Sequence, residues 1–155
     1  LSLHRPLVTP VLTGVGAFGV FYAAARACRH VPVLDRALAR VLRFADRGST
    51  PLVVLTSGAN GVAEELFFRG ALYAAVGARH PVAKSTAAYV VATASTRNPA
   101  LVLASLVMGV LFGWQRRASG GVEASALTHL TWSVLMLRYL PPLFRRPIAA
   151  TRGGS

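Results

Sequence analysis

The chain has 155 residues, enough for one domain of ordinary size and too few for a multidomain assembly. Apolar residues make up 54% and charged residues 14%, against roughly 25% charged in soluble domains, and the mean hydropathy is +0.50, so the expected solvent is mostly lipid. The 17 Lys+Arg against 5 Asp+Glu leave a net charge of +12. These basic residues punctuate long apolar runs instead of forming a stripe interleaved with aromatics, which speaks against a nucleic-acid partner and for membrane flanks.

A spanning helix needs about 20 predominantly apolar residues, with a range of roughly 17 to 25. Residues 8–27 form the first such stretch, closed by Arg26, Arg29 and His30. Residues 33–47 follow as a helix of another kind. Arg36, Arg40, Arg43 and Arg47 share one face, while Leu34, Leu38, Val41, Leu42 and Ala45 form the other, the pattern of a basic amphipathic helix at the membrane surface. Residues 51–77 are the second span, unusual in carrying Glu64, Glu65 and Arg69 inside it. Residues 82–96, 99–114 and 122–140 are the third, fourth and fifth spans, and 141–155 are expected to be a polar tail. The fold class is therefore all-α: a single polytopic membrane domain of about five spanning helices plus one basic amphipathic interfacial helix.

If the spans alternate, one side collects eleven basic residues, among them Arg36, Arg40, Arg43 and Arg138, and the other collects five. The positive-inside rule then places the amphipathic helix and the C-terminus in the cytoplasm. Gly109 and Gly113 form a G-x-x-x-G step in the fourth span that permits close helix contact. All basic residues but Lys84 are Arg, a bias that points to a GC-rich, bacterial genome. The lone Cys28 cannot pair internally and reads as an inert thiol. No Met opens the chain and Gly-Gly-Ser closes it, so both ends are expected to be processed or truncated.

The stretch from Ala63 to Gly70 carries the most chemistry. A charged residue near the centre of a spanning helix costs about 2.5 to 3.5 kcal/mol, so three would cost roughly 8 to 10 kcal/mol if uncompensated. Glu65 and Arg69 are four apart and can pair on one face. Glu64 points about 100° away, and Asn60, one turn earlier on its face, can hydrogen-bond it. A carboxyl in so apolar a place suits a group that exchanges protons with water. The alternative is that Ser57 to Gly61 breaks the helix, which then starts near Ala63 with the two carboxylates at its N-terminus. In the fifth span His129 and Ser133 share a face, and an imidazole at membrane depth turns toward the bundle interior or a wet cavity.

These residues resemble the CPBP intramembrane proteases, the group that includes CAAX prenyl endopeptidases and bacteriocin-processing or immunity proteins. The likeness runs from Pro51 to Leu140. The family's E-E-x-x-x-R motif matches Glu64, Glu65 and Arg69. Its last motif, a His followed four residues later by Asn or Asp, matches His129 but has Ser133 at the second position. Its F-x-x-x-H motif aligns Tyr89 with the aromatic and puts Thr93 where the family has His. The resemblance implies a glutamate-activated water, with Glu64 as general base, Glu65 and Arg69 as its supporting pair, and His129 with Ser133 as the oxyanion site. Thr93 and Asn60 would face substrate. The implied substrate is a hydrophobic or lipid-modified peptide or protein reached from the lipid bilayer, and the implied location is a bacterial inner membrane. Zinc is disfavoured as a cofactor, because H-E-x-x-H is missing and too few ligands remain. A catalytically impaired relative acting as scaffold, immunity factor or regulator is the main alternative, and a proton pathway through Glu64 and His129 a third.

Overall fold

The structure, a computed structural model, describes residues 5–47 and 50–145, and every regular element among them is helical. The first helix, α1 (Arg5–Cys28), leads through a short turn into α2 (Pro32–Arg47). Next comes α3 (Thr50–Glu64), which passes directly into a π-helical segment (Glu65–Leu72) and a final α-helical turn, α4 (Tyr73–Ala75). The chain then builds α5 (Pro81–Ala94), α6 (Pro99–Ser119), α7 (Glu123–Tyr139) and the short α8 (Pro141–Phe144).

Segments Leu7–Cys28 and Pro99–Ser119 are each long and apolar enough to cross a membrane. Only 11% and 28% of their most apolar stretches are buried within the protein, whereas a core helix of a soluble protein would be mostly buried. Leu12, Val20, Leu55, Phe67, Val91 and Leu103 all lie exposed on the outside. So much apolar surface is tolerated when lipid covers it, and the chain is a membrane protein. The helices holding the three other expected spans are α3 with its continuation, α5 and α7, with ends within a few residues of those read from the sequence.

Small residues set the spacing between helices. A Cβ on Gly14 would meet Thr131 Cβ at 2.7 Å, so α1 lies tight on α7. Gly109 and Gly113 do the same for α6 on α5, where an added Cβ would fall 2.8 Å from Thr86 Cγ2 and from Val82 Cγ1, respectively. The G-x-x-x-G step is thus a packing device. The α5–α6 connection is tied down by Asn98, which is 3% exposed. Its Oδ1 accepts from the backbone N–H of Ala100 and Leu101, capping α6. Its Nδ2 donates to the Ala37 carbonyl on α2 at 2.9 Å.

The helix does not break before Glu64: Ser57 to Gly61 are helical and Glu64 has helical dihedrals (φ −60°, ψ −44°), so the carboxylates sit inside a continuous helical rod, as the main sequence reading has it, and the alternative of an N-terminal placement falls. Two features depart from the sequence reading. The π-helical turn that follows was not expected. The Tyr73 N–H reaches back to the Phe68 carbonyl as well as that of Gly70, and such wide turns concentrate at functional sites. Lastly, the expected polar tail begins as packed structure. Two prolines start α8, Pro141 is buried, and Leu140 packs with Ala25, Leu42 and Leu143. Residues 146–155 of that tail lie outside the described residues. On α2 the expected amphipathic pattern is present, with Arg36, Arg40 and Arg43 exposed and Ala37 and Leu42 buried against the bundle.

Candidate functional site

The wide turn of the π segment brings Glu65 and Arg69 to the centre of the bundle, where both are fully buried. Arg69 Nη1 donates to Glu65 Oε1 at 3.1 Å, so the pair expected from the i, i+4 spacing forms. The rest of the guanidinium is wrapped by aromatic faces. Its Cζ lies 4.5 Å from the Tyr89 ring centre and 5.0 Å from that of Phe112, contacts that offset the burial of a cation. Arg69 Nε and Nη2 have no hydrogen-bond partner among the described residues, which leaves those π faces as their stabilisation. Arg116, from the far end of α6, donates its Nε to the Arg69 carbonyl at 2.8 Å, fixing the turn from the other side.

His129 of α7 meets the same carboxylate. Its Nδ1 lies 3.1 Å from Glu65 Oε1. A carboxylate only accepts hydrogen bonds, so this contact assigns a proton to Nδ1 and turns Nε2 away from Glu65. The imidazole stacks on Phe112 at 4.8 Å between ring centres. Gly61 makes room for it on α3, where an added Cβ would lie 3.5 Å from His129 Nε2. Glu65 therefore serves two partners, Arg69 and His129, where the sequence assigned it to Arg69 alone.

Glu64 points elsewhere, as its helical offset requires. Asn60 Nδ2 donates to Glu64 Oε1 at 2.8 Å, the bond expected from their spacing. The Tyr89 hydroxyl donates to Glu64 Oε2 at 2.9 Å. Sequence reasoning missed this second bond, because Tyr89 entered only as the aromatic of a motif; its hydroxyl, four residues before Thr93 on the same face of α5, was the available signal. Thr93 Oγ1 donates to the Tyr89 carbonyl at 2.8 Å, a common use of a helical hydroxyl. The polar residues after Thr93 serve structure too, Thr96 bonding the Thr93 carbonyl and Asn98 capping α6.

Glu64, His129, Ser133, Thr93, Asn60 and Tyr89 all line one cleft of about 530 Å³. Its walls come from α2, α3, the π segment, α5, α6 and α7, with Met108, Trp132 and Met136 among the apolar lining. Glu65 and Arg69 stand behind this cleft. One carboxylate and one imidazole thus face a shared space from different helices, His129 oriented by the buried Glu65 and Glu64 by Asn60 and Tyr89. Among the described residues no three His, Cys, Asp or Glu side chains gather closely enough to hold a metal ion. The only such side chains lining the cleft are Glu64 and His129.

An all-helical membrane bundle with an acidic pair, an arginine and a histidine gathered beside an internal cleft defines the class: a membrane protein with an acid–imidazole site. The family model Rce1-like, described as type II CAAX prenyl endopeptidase Rce1-like, matches residues 46–135, more than half of the chain, with Asn60, Glu64, Glu65, Arg69, Tyr89, Thr93, His129 and Ser133 inside the match. The chain belongs to this family of CAAX-type membrane proteases, as its resemblance to the CPBP intramembrane proteases implies. Neither the curated proteins nor the solved structures contain a match to it.

Proposed function

We propose that this chain is an intramembrane endopeptidase that hydrolyses a peptide bond of a membrane-associated or lipid-modified substrate through a water activated by Glu64. The observation that carries the reading is the meeting of Glu64 and His129 on one cleft with fixed orientations. Glu64 takes a proton from water, and the resulting hydroxide attacks the scissile carbonyl. Negative charge then develops on the carbonyl oxygen, and donors aimed at that oxygen lower the barrier. His129 presents Nε2 from the cleft wall, with Glu65 held behind Nδ1 as the counter-charge to an imidazolium. The Ser133 hydroxyl, one turn along α7, is the second donor, in place of the amide the motif usually carries. Glu64 returns its proton to the leaving amine, so the cycle consumes one water and needs no metal.

The cleft is bounded by apolar side chains and set among helices whose outer faces are apolar, which suits a hydrophobic substrate arriving from the bilayer. In this reading the five long helical segments cross the membrane. The exposed arginines of α2 lie at its cytoplasmic surface with the C-terminus on the same side, in a bacterial inner membrane.

The test is cleavage of a farnesylated, internally quenched peptide in proteoliposomes. Glu64→Gln is expected to lower the rate by roughly 10²- to 10⁴-fold, the span for loss of a general base, with thermal stability near wild type. Unchanged cleavage would overturn the assignment. A variant that loses its fold instead would show that Glu64 serves structure, as in a scaffold or regulator.

A further inference from the structure

Asn60 and Tyr89 hold Glu64 in different ways. Asn60 lies on the same helix, so its bond moves with Glu64 and fixes little relative to the rest of the site. Tyr89 reaches from α5 and ties Glu64 Oε2 to a second helix. The phenol is itself immobilised. Its ring lies tilted against that of Phe68, 4.9 Å between centres, covers the Arg69 guanidinium at 4.5 Å, and abuts Gly109, where an added Cβ would lie 3.4 Å from Tyr89 Cδ1. Thr93, the other polar group that α5 turns to the cleft at this level, gives its hydroxyl to the Tyr89 carbonyl.

We propose that Tyr89 is the positioning residue that anchors Glu64, by a hydrogen bond that reaches from α5 to the end of α3. This rests on the reading of Glu64 as the base. The tyrosine also joins the two halves of the site. Asn60, Glu64, Tyr89, Arg69, Glu65 and His129 form one unbroken chain of hydrogen bonds, an ion pair and a cation–π contact. A shift of the phenol therefore reaches the imidazole as well as the carboxylate. A phenylalanine would keep the ring on Arg69 and lose only the hydroxyl.

The experiment compares Tyr89→Phe with wild type in proteoliposomes, using the farnesylated quenched peptide. Tyr89→Phe is expected to lower kcat by roughly 10- to 100-fold, the scale of one hydrogen bond to a charged group, while KM stays within about twofold and thermal stability is unchanged. An unchanged kcat, or an effect on KM alone, would overturn the proposal. Glu64→Gln run alongside separates the two claims. An active Glu64→Gln removes the base assignment and this proposal with it, whereas an inactive one beside a fully active Tyr89→Phe removes the tyrosine's role alone. Infrared difference spectra of Tyr89→Phe against wild type supply a readout independent of turnover. A carboxylate stretching change is expected and should vanish in the Glu64→Gln background; its absence from the first comparison also overturns the proposal.

Discussion

Glu65 is the residue whose loss should be felt most widely. Both Glu65 and Arg69 are fully buried, and Glu65 Oε1 accepts from Arg69 Nη1 and from His129 Nδ1, each at 3.1 Å. Glu65→Leu would leave the guanidinium without its counter-charge in a site where only aromatic faces remain to stabilise it. Breaking a buried ion pair from one side typically costs about 3 to 5 kcal/mol. At roughly 2 to 4 °C per kcal/mol for a chain of this size, the expected fall in Tm is about 6 to 20 °C. The measurement is thermal unfolding in detergent, followed by tryptophan fluorescence and by retention of the monodisperse peak. The double variant Glu65→Leu/Arg69→Met removes both charges and replaces them with apolar groups of similar volume, and should recover most of that loss. Peptide cleavage should not recover, because His129 still lacks the acceptor that orients it. A single variant as stable as wild type, or a double variant as unstable as the single one, would refute the idea that Glu65 neutralises a buried Arg69.

Gly109→Ala should lower stability by about 1 to 3 kcal/mol, since the new methyl would sit 2.8 Å from Thr86 Cγ2. Gly16→Ala in α1, where nothing lies within 4 Å, should be neutral or slightly stabilising, and thermal unfolding of the two distinguishes a packing site from an open face. Asn98→Ala should cost about 1 to 3 kcal/mol, combining the lost helix cap with an orphaned Ala37 carbonyl. Its Tm should fall while peptide cleavage per folded molecule stays at the wild-type level.

Composition and period alone were enough for the helical class, the amphipathic α2 and the pairing of Glu65 with Arg69. Each depends on contacts within one helix or on the balance between apolar surface and lipid, and both repeat at fixed intervals along the chain. The bond from Asn60 to Glu64 was legible for the same reason. Tertiary structure decided the rest, because the partners come from different helices whose relative rotation no local pattern encodes. Tyr89 is 25 residues from Glu64, and His129 is 64 from Glu65. The π-helical turn belongs with them. A single added residue per turn leaves no mark in an apolar run, yet it sets which side of the helix Arg69 shows to Tyr89 and Phe112. The packing before α8 was hidden for a related reason: Leu140 is buried where Ala25 of α1 and Leu42 of α2 meet it. A sequence displays which groups are costly to place in lipid, whereas the assembled bundle determines which neighbours relieve that cost.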